Sequence, residues 1–145
     1  MPDLQRQDWM SVLARASADE LAGRSAGLLP EYSVLRGPEP GLVMVRGRAG
    51  GNGAAFNLGE ATVVRCTVRS ADGQVGHAYC LGRDARQAEL AAVLDAALQD
   101  PARREQVEAR VVAPLRRAQA ERRAQQARRA AATQVQFFTM ETMRT

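Results

Sequence analysis

Two arginines two residues apart, Arg46 and Arg48, precede a run of glycines at Gly50, Gly51 and Gly53. This constellation is the one in the sequence best suited to chemistry. Strand alternation places both guanidiniums on one face, with backbones roughly 7 Å apart. Successive free amides in a glycine loop form a nest for an anion, and planar guanidiniums make bidentate contacts to phosphate or phosphonate oxygens. The competing reading is a surface loop beside two solvated arginines. The run is neither a P-loop, which needs GxxxxGK followed by Ser or Thr, nor the GxGxxG dinucleotide fingerprint.

Weaker candidates surround this segment. Glu60 can ligate Mg²⁺ or accept a proton, and Arg65 and Arg83 can extend a basic surface around it, although an ion pair with one of those arginines is the commoner fate of such a carboxylate. His77 is the single histidine and is expected on the apolar face of a strand, where a hydrogen-bonded core role competes with a catalytic one. One histidine cannot build a metal cluster. Cys66 and Cys80 lack metal-ligand spacing, and a reducing compartment leaves both as thiols. No acid/base pair, metal cluster or activated nucleophile stands out, so no catalytic residue is assigned.

The elements that must position these residues follow from periodicity. Asp3 is expected to cap a first helix with Trp9, Val12, Leu13 and Ala16 on one stripe; Ser17 to Glu20 reads as a capping box for a second, which Pro30 limits. From Tyr32 the period becomes two, predicting a short strand at 32–36, a turn at Pro38 to Gly41, and a strand from Leu42 to about Ala49. Two more strands, 61–70 and 74–82, flank Asp72-Gly73. A two-residue turn there sets Val64 opposite Leu81, Cys66 opposite Tyr79, Val68 opposite His77 and Arg65 opposite Cys80, with the cysteines on opposite faces. Asp84 caps a third helix. Asp100-Pro101 opens a fourth, which Pro114 should kink. The expected fold is α+β: two amino-terminal helices, a four-stranded mostly antiparallel sheet, a third helix, and a long, kinked, Arg-rich carboxyl-terminal helix. Residues 1–100 form the α+β domain, and 101–145 a helical extension ending in an apolar docking tail, Phe137-Phe138-Thr139-Met140.

Composition bounds the rest. The 145 residues allow one modest core, and with aromatics at only 4% that core is thin in large side chains, which favours a protein that completes its packing on partners. All 20 basic residues are arginine, which excludes a lysine Schiff base or lysine phosphate clamp. Positive charge concentrates in 101–131. Its arginine pairs can follow a nucleic-acid backbone, but no aromatics interleave them for stacking, and a solvated helix or one lying on an acidic partner fits better. The amino terminus carries charges where a secretory signal needs an apolar run, so a cytoplasmic, non-membrane protein is expected.

Several segments together carry a family likeness. These are Arg6-Gln7-Asp8-Trp9-Met10, Gly41-Leu42-Val43, Arg48 to Gly53, Phe56 to Thr62, Leu81-Gly82-Arg83-Asp84, Ala88-Glu89 and Phe137 to Met140. In that order the chain resembles the small G subunits (PhnG) of the bacterial carbon-phosphorus lyase system, with Asn52 standing where threonine is familiar. The resemblance implies a subunit working with PhnH, PhnI and PhnJ in a core complex, with a functional link to PhnL and self-association within the complex. It also implies that the complex uses ATP and Mg²⁺ to transfer methylphosphonate to carbon 1 of the ATP ribose, displacing adenine. This chain would be an accessory or structural partner with no cofactor of its own. Without the resemblance, the residues support a cytoplasmic anion- or nucleic-acid-binding module acting through its arginines.

Overall fold

A computed structural model describes residues 2–48 and 53–143, apart from the side chains of 2, 57 and 134–143. Its elements run α1 (Pro2–Arg15), α2 (Ala18–Ser25), β1 (Tyr32–Arg48), β2 (Ala55–Ser70), β3 (Val75–Leu81), α3 (Ala85–Leu98), α4 (Pro101–Val107), a π-helical turn (Glu108–Val112) and α5 (Ala113–Met143). The helix starts have local causes. Ser17 Oγ accepts from the Glu20 amide at 3.1 Å and Glu20 accepts from the Ser17 amide at 3.3 Å, closing the capping box. Asp84 and Asp100 accept from the Gln87 and Ala102 amides in the same way. Asp3 lies inside the first turn of α1 rather than ahead of it.

The α+β arrangement holds, with an antiparallel sheet in the order β1-β2-β3. All the expected strand segments are present, but the first two do not part at Pro38 to Gly41. They run on as the single strand β1, paired with β2 from Tyr32 opposite Ser70 to Arg48 opposite Ala55. A bulge absorbs the predicted turn: Gly37 and Pro38 fall between the pairs Arg36–Thr67 and Glu39–Arg65. Proline cannot donate to a ladder, so it is tolerated at a bulge on an edge strand.

The β2–β3 register differs by one residue from the expected one. Val64 pairs with Cys80, Arg65 with Tyr79, Cys66 with Ala78 and Thr67 with His77. The hairpin closes where the Ser70 amide donates to the Gln74 carbonyl at 2.8 Å, so the loop is Ala71-Asp72-Gly73, with Gly73 at φ +96°. A three-residue loop ending on a left-handed glycine uses Asp-Gly as readily as a two-residue turn does. The slip carries the cysteines to the same face. Val64, Cys66, Val68, Ala78 and Cys80 are all buried, while Tyr79 and Leu81 face outward and are exposed.

Helix α3 packs on that buried face and is the centre of the molecule. Its alanines at 88, 91, 92, 96 and 97 are buried, and such small side chains let a helix approach a sheet closely. Gly76 marks the closest approach, since a Cβ there would collide with the Ala92 carbonyl oxygen and the Ala96 amide. Leu94, Leu98, Val107, Val111, Val112 and Leu115 extend the core through the start of the carboxyl-terminal helices, each fully buried aliphatic contributing about 1.5–3 kcal/mol. Pro114 has no amide to donate, and the preceding turn widens so that the Ala113 amide bonds to the Glu108 carbonyl, five residues back. Past Gln119, α5 leaves the core: residues 120–133 are exposed on every side. Its backbone stays helical to Met143, but the side chains of the expected docking tail at 137–140 lie outside the described residues.

Candidate functional site

The distal halves of β1 and β2 form a hairpin arm that extends beyond the helix layer. Leu42, Met44, Phe56 and Leu58 on it are exposed by 45–65% of their surface, and Val43 and Val45 by about 40%. An alternating strand normally hides one row of apolar side chains; this arm hides neither. Arg46 and Arg48 follow Leu42 and Met44 on one strand face, opposite Asn57 and Ala55 of the other strand. Both are exposed, and among the described residues neither forms an ion pair. Gly50 and Gly51 lie outside the described residues, while Gly53 opens the return toward β2.

The other candidates do not converge on these arginines. Glu60 is exposed opposite Met44 and makes no ion pair among the described residues. Arg65, one of its two expected partners, instead bonds Glu39 at 2.9 Å, and Arg36 reaches the same oxygen at 2.6 Å. Together these two guanidiniums, Arg36 first, hold the Glu39 carboxyl below its ordinary range. Arg83 lines a cavity at the base of the arm. His77 is not on the core face: the register places it on the opposite one, half-buried, with Nδ1 3.1 Å from Thr67 Oγ1. The thiols are equally unavailable. Burial pushes the Cys80 thiol up to about 11, and burial likewise raises that of Cys66, so neither is a ready thiolate.

The most elaborate polar cluster involves a residue with no sequence motif. Asp95 is fully buried in α3. Its carboxylate accepts from Trp9 Nε1 at 2.8 Å, from Arg6 Nη2 at 2.9 Å and from the His77 backbone amide at 2.9 Å. Bonding to Asp95 holds the Arg6 guanidinium firmly protonated. Arg6 and Gln99 also donate to the Val75 carbonyl, at 3.4 and 2.7 Å. The cluster therefore covers the first part of the outer edge of β3, at Val75 and His77, with side chains. A sequence signal does exist, since Asp95 is a lone charge in the run Ala91-Ala92-Val93-Leu94-Asp95-Ala96-Ala97-Leu98.

The arginines of 101–131 divide into two groups. Arg116 bridges Asp8 and Glu108, Arg122 bonds Glu20 at 3.1 Å, and Arg104 lies over the Trp9 ring, 5.5 Å from its centroid. Arg117, Arg123, Arg128 and Arg129 are exposed and form no ion pair among the described residues. No three His, Cys, Asp or Glu side chains converge on a possible metal position among the described residues, and no described helix is long and apolar enough to cross a membrane. The arm thus offers apolar contact and a cationic face; proton chemistry is poorly provided for.

A family model described as phosphonate metabolism protein PhnG matches residues 4–144. The chain belongs to the PhnG family. Among curated PhnG proteins, the alpha-D-ribose 1-methylphosphonate 5-triphosphate synthase subunit PhnG of Rhizobium meliloti (strain 1021) is 51% identical over 138 residues, spanning 94% of this chain and 88% of that relative. The PhnG match thus takes in the hairpin arm, the Asp95 cluster and the exposed length of α5.

Proposed function

We propose that this chain is a non-catalytic subunit of a phosphonate-processing assembly in the cytoplasm, joined to PhnH, PhnI and PhnJ and functionally linked to PhnL. The assembly uses ATP with Mg²⁺: a methylphosphonate oxygen attacks carbon 1 of the ribose, the bond to adenine breaks, and α-D-ribose 1-methylphosphonate 5-triphosphate and adenine leave. The observation that carries the reading is the hairpin arm, apolar and exposed on both faces in a chain of the PhnG family. Exposed apolar surface of this kind is stable in solution when a partner covers it. The accessory role draws support from the fate of the carboxylates. Asp95, Glu20, Glu39, Asp84, Asp100 and Glu108 are each committed to structural hydrogen bonds. The test is copurification after coexpression with PhnH, PhnI and PhnJ; a chain that elutes alone contradicts the reading.

A second role within the same assembly is favoured by Arg46 and Arg48, exposed beside the glycine segment and paired with no carboxylate among the described residues. We infer that they contact the phosphate or phosphonate oxygens of a substrate held by the larger subunits. Replacing both with Ala should abolish product formation in an intact assembly, and unchanged turnover removes this role.

A further inference from the structure

The two edges of the sheet are treated differently. At the start of β3 outward groups are occupied: the His77 amide donates to Asp95, and the Val75 carbonyl accepts from Gln99 and Arg6. On β1, the other edge of the sheet, residues 41–47 are bonded on one side by the ladder to β2, and among the described residues no hydrogen bond reaches their outward side. Natural edge strands are usually blunted by charge, proline or a covering element. Pro38 and Pro40 blunt the first half of β1, but Leu42, Val43, Met44 and Val45 follow with no proline and no charge, so alternate amides point outward from the ladder with β2.

A cavity of about 380 Å³ lies beside that open stretch. Pro40 and Leu42 from β1, Val64 and Thr62 from β2, Arg83 from the β3–α3 connection and Ala85 from the start of α3 line it. The register puts Pro40 opposite Val64 and Leu42 opposite Thr62, so the cavity sits on the sheet face that α3 covers further along. Arg83, its one charged lining residue, forms no ion pair among the described residues. An open edge next to a side-chain pocket is the arrangement by which extended peptides are recognised: backbone bonds supply affinity and the pocket supplies selectivity.

We propose that residues 41–47 of β1, with the adjoining cavity, form a strand-addition site for an extended segment of another subunit. That segment seats a large apolar side chain in the cavity and presents a carboxylate to Arg83. The occupant's chemistry follows from the apolar lining and the single unpaired guanidinium. The proposal rests on the subunit reading above and adds where and how the chain is held.

Hydrogen exchange on the free chain and on the coexpressed assembly with PhnH, PhnI and PhnJ tests it. Alternate amides within 41–47 should slow at least about tenfold on assembly, and Arg83→Glu should weaken assembly by about tenfold while Arg83→Lys largely restores it. An assembly that copurifies but exchanges at 41–47 as fast as the free chain overturns the strand-addition site while leaving subunit membership standing. Protection already present in the free chain, with sedimentation as a dimer, identifies a second copy as the occupant and also overturns the proposal. Failure to copurify contradicts subunit membership itself, and the proposed occupant falls with it.

Discussion

The Trp9 indole nitrogen donates to the Asp95 carboxylate at 2.8 Å across 86 residues of sequence, tying α1 to α3. Because the same carboxylate receives Arg6 and the His77 amide, its removal strands a guanidinium and two further donors together. Asp95→Ala is therefore expected to cost about 3–5 kcal/mol, and Asp95→Asn about 1–3 kcal/mol. Urea unfolding of the isolated chain measures both, and a loss below 1 kcal/mol for Ala, judged against ordinary surface changes, would show that the cluster is not structural.

Gly76 is expected to tolerate no side chain. A methyl group there meets backbone atoms of Ala92 and Ala96, which cannot rotate away, so α3 must lift from β3. Gly76→Ala should cost about 2 kcal/mol or more, with increased exchange of the β3 amides. A near-neutral melting shift would mean that the helix and strand are further apart than described.

Cys80 should alkylate slowly in the native protein at pH 8. Its thiol titrates near 11 against an ordinary value of 9, burial being the cause. The folded value is the raised one, so this contribution to stability is full below pH 9 and is lost as pH rises through about 11. Mass-resolved iodoacetamide labelling against pH checks it; native labelling as fast as in urea would contradict it.

Much of this architecture was legible from local chemistry. The capping box at Ser17 and Glu20, and the caps at Asp84 and Asp100, depend on residues two or three apart and appear in the sequence directly. The β2–β3 register was not legible, because Asp72-Gly73 serves loops of two residues or three, and one residue of slip exchanges the faces. That exchange moved His77 off the core face and brought Cys66 and Cys80 onto it. Asp95 escaped notice because its partners lie far away in sequence, and no local pattern distinguishes a paired buried aspartate from a misplaced one. The arm was visible only as strands. Alternating apolar residues look the same whether a domain's own helices or another protein will cover them.

Charge on the arm should separate folding from assembly. Met44 and Leu58 are 53% and 62% exposed, so Met44→Asp with Leu58→Asp should change the stability of the free chain by no more than about 0.5 kcal/mol per site. The same pair should prevent copurification with PhnH, PhnI and PhnJ. Retained copurification would locate the interface elsewhere.

Adenine release from ATP plus methylphosphonate, assayed with coexpressed partner subunits in the presence and absence of this chain, tests the central claim most directly. An accessory subunit predicts release that requires both the chain and its partners, falls to background when either is omitted, and is absent with the purified chain alone. Full release without the chain would contradict its role in the assembly, and release by the chain alone would contradict its non-catalytic character.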